Sequence, residues 1–137
     1  MDEGESLTDP TALPVAPQRR DRLRVLVVDD HAGFRATARD LLAAAGFDVV
    51  GEARDGFDAL AQVVPSRADV VLLDIGLPDI DGFDVCTRLA MLDAPPAVIL
   101  TSSRDASEYR DRLADSPARG FIPKSALSGD AVAALVS

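Results

Sequence analysis

An α/β fold, with five strands in one doubly wound parallel sheet, is predicted by three observations. Short runs rich in Val, Leu and Ile at 24–29, 48–53, 69–74, 96–101 and 119–123 alternate with longer segments of helical spacing at 32–45, 56–64, 82–92, 105–115 and 127–136. Val25-Leu26-Val27-Val28, Val70-Val71-Leu72-Leu73 and Ala97-Val98-Ile99-Leu100 are apolar throughout rather than alternating, which suits strands covered by helices on both faces. Four of the five runs stop on a polar residue able to handle phosphate or metal: Asp29-Asp30, Asp74, Thr101 and Lys124. Open α/β sheets bind ligands outside the carboxyl ends of their strands, so these residues are expected to meet along one edge.

The elements follow in order. The first run, 24–29, is a buried strand, and the helix after it, 32–45, ends in Leu41-Leu42-Ala43-Ala44-Ala45 before Gly46, where a left-handed terminus is expected. The second run is less apolar, ends Gly51-Glu52-Ala53 and suits a sheet edge. Pro65 and Pro95-Pro96 mark other helix exits. Thr101-Ser102-Ser103 precedes the fourth helix, and any of the three is a candidate cap. Ser128 is a candidate cap for the last helix, whose roughly ten residues leave its final turn marginal.

Before the first strand, residues 1–22 hold three prolines (Pro10, Pro14, Pro17), four acids ahead of position 10 and no repeated apolar spacing. This reads as a disordered tail, with residues 23–137 forming one domain. A net charge of −9 argues against direct nucleic-acid binding, because phosphate backbones must be neutralised by Lys and Arg. The single cysteine, Cys86, excludes an internal disulfide, and one histidine excludes a Cys/His zinc cluster. No run approaches 18 apolar residues and the N-terminus is acidic, so the chain reads as a cytoplasmic protein away from membranes.

Asp29, Asp30 and Asp74 carry the chemistry. Each alone has a bland reading as a cap or turn former. Together they repel: two carboxylates about 4 Å apart interact unfavourably by roughly 4 kcal/mol at an effective dielectric of about 20, so the cluster calls for a cation or a raised pKa. Mg2+ fits, since it takes octahedral oxygen ligation from one or two carboxylates plus a phosphate. His31 is set aside as a ligand because imidazole suits softer metals.

The string Asp74-Ile75-Gly76-Leu77-Pro78-Asp79-Ile80-Asp81-Gly82 is the most specific in the chain. With Val27-Val28-Asp29-Asp30, Leu100-Thr101-Ser102-Ser103 and Gly120-Phe121-Ile122-Pro123-Lys124, it closely resembles the receiver domain of two-component response regulators, with a pattern nearest receivers of LuxR-type regulators. The resemblance runs from Arg24 to about Val136 and implies a (βα)5 flavodoxin-like fold. It further implies that Asp74 is the phosphoacceptor of a Mg2+-dependent phosphorelay, Asp30 a direct metal ligand, Asp29 a ligand acting mainly through metal-bound water, and the Gly76 carbonyl the remaining ligand. Thr101 matches the switch hydroxyl, Lys124 the phosphate-binding lysine and Phe121 the aromatic that changes rotamer with Thr101. The implied partners are a sensor histidine kinase or phosphotransfer protein and a second copy of the chain on phosphorylation, with no activity beyond the domain's own phosphorylation and dephosphorylation.

The residues support those roles by their chemistry. A carboxylate is a competent nucleophile toward phosphorus, and the reaction needs charge neutralisation and in-line positioning more than proton transfer. Lys124 is the sole lysine among fourteen basic residues, and a compact ammonium on a flexible stem suits a phosphate better than a planar guanidinium at this position. Small Ser102 is expected to leave the site open. Leu77-Pro78 and Asp81-Gly82 shape the loop after Asp74. Two positions depart from the pattern: Ser125 follows Lys124 where many receivers have Pro, and Pro117 stands where relatives often have Gly.

Two alternatives stand beside this reading. One is a Mg2+-dependent phosphate-ester hydrolase with Asp74 as nucleophile, against which Gly76 offers no acid to protonate a leaving group. The other is a degenerate receiver that acts only as a binding module.

Overall fold

The computed structural model describes residues 22–136, and the expected N-terminal tail lies almost wholly outside them. The chain forms β1 (Arg24–Val28), α1 (Ala32–Ala44), β2 (Asp48–Ala53), α2 (Gly56–Ser66), β3 (Val70–Asp74), α3 (Gly82–Ala90), β4 (Ala97–Ser102), α4 (Arg110–Asp115), β5 (Gly120–Pro123) and α5 (Gly129–Val136). The five strands make one parallel sheet in the order β2-β1-β3-β4-β5. This is the flavodoxin-like (βα)5 arrangement the sequence predicts.

Strand side chains alternate between two cores. Leu26, Val28, Val71, Leu73, Val98 and Leu100 face one side, where α2 and α3 add Ala59, Val63, Phe83 and Leu89. Val25, Val27, Val70, Leu72 and Ile99 face the other, against Ala38 and Leu42 of α1 and Val132 of α5. Apolar residues on both faces explain why these strands read as unbroken hydrophobic runs. In β2, all but Ala53 are only half-buried, as befits the edge position.

Helix ends follow the local chemistry with some corrections. Gly46 adopts φ 95°, the left-handed terminus expected after α1. Ser128 Oγ accepts the Ala131 amide at 3.0 Å and caps α5 as expected. Pro65 lies inside α2 rather than after it, and the helix ends one residue later, where Arg67 takes φ 55°. The fourth helical segment is divided: Ala106–Tyr109 is a 3-10 turn and only Arg110–Asp115 is α-helical. Its N-cap is Asp105, which makes no side-chain cap bond, so none of Thr101, Ser102 and Ser103 caps it. Ser102 Oγ instead accepts the Arg104 amide at 3.0 Å in a tight turn.

Candidate functional site

Chain topology selects the site. From β1 the chain passes to β2 on one side, then returns to β3 on the other, so the carboxyl ends of β1 and β3 flank the point where winding direction reverses. Val28 is in register with Leu73, which places Asp29 beside Asp74. Asp74 is in register with Thr101, and Ser102 with Pro123, which sets Lys124 just beyond the end of β5. The four strand ends therefore converge as the sequence predicts.

Asp29, Asp30, His31 and Asp74 each offer a ligand atom, and these atoms lie within 4.8 Å of one another. Asp29 is fully buried and Asp74 nearly so, whereas Asp30 and His31 are exposed. The Lys124 ammonium stands 2.6 Å from Asp29 Oδ2 and 3.5 Å from Asp74 Oδ2, so one cation serves two buried carboxylates. Burial and the neighbouring Asp29 carboxylate push the Asp74 pKa up, against the pull of Lys124. For Lys124, burial disfavours the charged form, but Asp29 and Asp74 outweigh it and raise its pKa.

This donor set fits a hard divalent cation. The oxygens of Asp29, Asp30 and Asp74 form a compact carboxylate group at a sheet edge, consistent with the Mg2+ site of receivers. Asp29 Oδ2 has an ion-pair partner but no hydrogen bond of good geometry. Gly76 is exposed two residues past Asp74, its amide 3.2 Å from Asp74 Oδ1, and a Cβ there would meet nothing within 4 Å. Its backbone is thus accessible beside the acidic group. Gly82 is different: a Cβ there would fall 2.5 Å from the Asp74 carbonyl oxygen, so only glycine allows α3 to begin this close to the site.

Thr101 is fully buried, and its Oγ1 has no hydrogen-bond partner among the described residues. Such an unpaired buried hydroxyl costs free energy and leaves its donor capacity unused. Phe121 is half-buried and faces Tyr109 at 6.2 Å between ring centroids, and Tyr109 in turn faces Phe83 at 6.0 Å. The Tyr109 hydroxyl lies 3.2 Å from Ser102 Oγ, so Ser102 is engaged with the fourth helical segment.

Several contributors were not visible in the sequence. Phe34 of α1 lies under Lys124, with the ammonium 4.8 Å from its ring centroid. Arg35 donates to the Asp29 carbonyl at 2.7 Å and pairs with Glu52 at 3.0 Å, bracing the β1 end from α1. Neither has a sequence signal, because both depend on contacts set by packing. His31, set aside as a ligand, folds back so that Nδ1 lies 3.1 Å from Asp29 Oδ1 and 3.0 Å from Asp30 Oδ1. A hollow of about 550 Å³, lined in part by Val63, Val64, Leu92 and Pro95, shares no residue with this group.

Comparison with known proteins agrees with this geometry. The chain is 37% identical over 101 residues to the virulence-factor transcription regulator BvgA of Bordetella pertussis, covering 74% of this chain and 48% of that protein. It is 31% identical over 101 residues to the chemotaxis protein CheY of Thermotoga maritima, covering 74% and 84%. Among solved structures, the receiver domain of the response regulator NarL from Mycobacterium tuberculosis superposes with TM-score 0.77 at 32% identity, covering 84% of this chain and 96% of that one. A CheX–CheY complex with BeF3 and Mg2+ from Borrelia burgdorferi superposes with TM-score 0.71 at 26% identity, covering 87% and 95%. The chain spans about half the length of the transcription regulators it matches. The sequence model of the response regulator receiver domain matches residues 25–136, and the chain belongs to that family.

Proposed function

We propose that Asp74 accepts a phosphoryl group from a phosphohistidine donor on a sensor kinase or phosphotransfer protein. The observation that carries this reading is the setting of Asp74: nearly buried at the end of β3, beside Asp29, with the Lys124 ammonium 3.5 Å away. A carboxylate oxygen of Asp74 forms the new bond to phosphorus as the bond to the donor nitrogen breaks, and the electron pair leaves with the imidazole. Asp29, Asp30, Asp74 and the Gly76 carbonyl would hold Mg2+, which when bound neutralises charge on the transferring group. Lys124 turns from Asp74 to the phosphoryl oxygens. The orphan Thr101 hydroxyl then gains an acceptor, and Phe121 follows it inward.

The readout proposed is the face formed by α4, β5 and α5, which would change its affinity for a partner, a second copy of the chain included. In this reading the domain is a cytoplasmic signalling switch rather than an enzyme with a separate substrate. A transcriptional output is supported only by the relatives of about twice this length. No helix among the described residues is long and apolar enough to cross a membrane. The hydrolase alternative lacks an acid at Gly76, and the degenerate alternative is disfavoured by the convergence of all four strand ends.

Intact-mass measurement after treatment with acetyl phosphate tests the assignment. One phosphoryl group should be gained with Mg2+ present, and lost with chelator or in Asp74→Asn. A gain that persists in the variant refutes it.

A further inference from the structure

The loop between Asp74 and α3 is tied locally at both ends: the Gly76 amide approaches the Asp74 side chain at Oδ1, 3.2 Å away, and the Gly82 amide donates to the Ile75 carbonyl at 2.9 Å. Its apex is held by something else. The Asp79 carboxylate accepts the amides of Gly56 and Phe57, both at 2.8 Å, in the first turn of α2, and that of its neighbour Ile80, also at 2.8 Å. Next to these bonds, a Cβ on Gly56 would stand 2.4 Å from Ile80 Cγ1, so the loop packs against α2 at a distance that only glycine permits.

Capping alone does not account for this arrangement. α2 already has an N-cap of its own, Asp55, whose carboxylate accepts the Asp58 amide at 2.8 Å. Asp79 arrives from more than twenty residues away and takes the next two free amides, where the helix dipole also favours a carboxylate. Burial of Asp79 is slight, and the amides of Phe57, Gly56 and Ile80 outweigh it to hold the carboxyl below its usual pKa, so the tie is ionised at neutral pH. The same loop carries Gly76 and follows directly from Asp74, two of the four groups assigned to the cation.

We propose that Asp79 is a positioning residue: by mooring the loop apex to the start of α2, it sets where the Gly76 carbonyl and Asp74 stand relative to Asp29 and Asp30. It touches neither cation nor phosphoryl group. The inference rests on the reading of Asp29, Asp30, Asp74 and Gly76 as a divalent-cation site.

Calorimetric titration of the whole chain with Mg2+, paired with thermal unfolding, tests it in Asp79→Ala, Asp79→Asn, Asp55→Ala and Asp30→Asn. Removing a residue that orients a ligand typically weakens metal affinity by about 10- to 100-fold, and Asp79→Ala should fall in that range. Asp79→Asn retains the oxygen that serves Gly56 and Ile80 while losing the Phe57 bond, so it should lie between wild type and Asp79→Ala, and it serves as the test if the alanine variant does not fold. Asp55→Ala, which removes the ordinary cap, should lower Tm with Mg2+ affinity unchanged. If both Asp79 variants behave like Asp55→Ala, less stable but with wild-type Mg2+ affinity, the positioning role is overturned. If wild type takes up no Mg2+, or Asp30→Asn binds it equally well, the cation reading itself fails and the inference falls with it.

Discussion

Thr101→Val isolates the buried hydroxyl on which the switch reading depends. Thr101 sits at 0% exposure in β4, in register with Asp74 and Ile122, with no partner for Oγ1 among the described residues. Burying a hydroxyl without a hydrogen bond costs about 1–3 kcal/mol, and valine replaces it with a methyl of nearly the same shape and equal fitness for a strand. The resting protein should therefore gain about 1–2 kcal/mol. At about 4 °C per kcal/mol for a domain near this size, Tm should rise by about 4–8 °C in thermal melts at pH 7 without divalent ions. Acetyl phosphate with Mg2+ should still add a phosphoryl group to Asp74, because valine leaves the nucleophile and Lys124 in place. What should disappear is any change at the α4–β5–α5 face on phosphorylation. A fall in Tm of a few degrees would refute the reasoning, since it would mean that the hydroxyl already has a partner at rest.

Three further outcomes follow from the same site. Because the folded-state pKa of Asp74 is raised, the native state binds this proton more readily than the unfolded chain; the Asp74 contribution to stability of the metal-free protein should fall as pH rises through that raised pKa, opposite in sign to the contributions of Glu52 and Asp79, whose pKa values are lowered. Asp74→Asn should remove that contribution, and identical pH profiles for wild type and variant in chemical denaturation would contradict the shift. Gly82→Ala drives a methyl against the Asp74 carbonyl and Ile75 Cα, backbone atoms that cannot step aside, so it should lose about 1–3 kcal/mol or more in urea titration. Lys124→Arg keeps the charge but must fit a larger planar group into a place 2.6 Å from Asp29 and above Phe34; phosphorylation by acetyl phosphate should slow by about tenfold or more, and a wild-type rate would show that charge alone suffices.

Strands β1, β3 and β4 were legible because burial on both faces demands apolar residues at every position, a local signal. The convergence of Asp29, Asp74, Thr101 and Lys124 was legible for a related reason: each stands at or next to the carboxyl end of a strand, and parallel strands bring those ends together. The break in the fourth helical segment leaves no sequence signal, because spacing over 105–115 satisfies a helix throughout while the backbone at Tyr109 does not continue one. Its backbone leaves the helical region at φ −120° and ψ 12°, with its ring between Phe83 and Phe121 and its hydroxyl on Ser102. Those contacts are tertiary and leave no periodic trace. Pro65 reads as a helix exit, yet it sits in the last turn of α2, which ends at Ser66 before Arg67 turns left-handed. Asp79 was equally hidden, since a carboxylate in a loop does not announce which distant amides it will meet.

The two helices of the proposed partner face are fastened very differently. A Cβ on Gly129 would lie 2.2 Å from Ala45 Cβ, Leu135 fills the space a side chain on Gly120 would need, and Val132 is buried, so α5 is set hard against α1 and β5. Neither α4 nor the 3-10 turn before it buries a single residue. Stiffness is therefore graded across one surface, and amide exchange should be slow in α5 and fast in α4. On the proposed switch reading, a displacement that begins at Thr101 would meet less packing on the α4 side, where Tyr109 and Leu113 are only half-buried, than on the α5 side. On that reading, α5 would supply the fixed frame and α4 the part that departs from it.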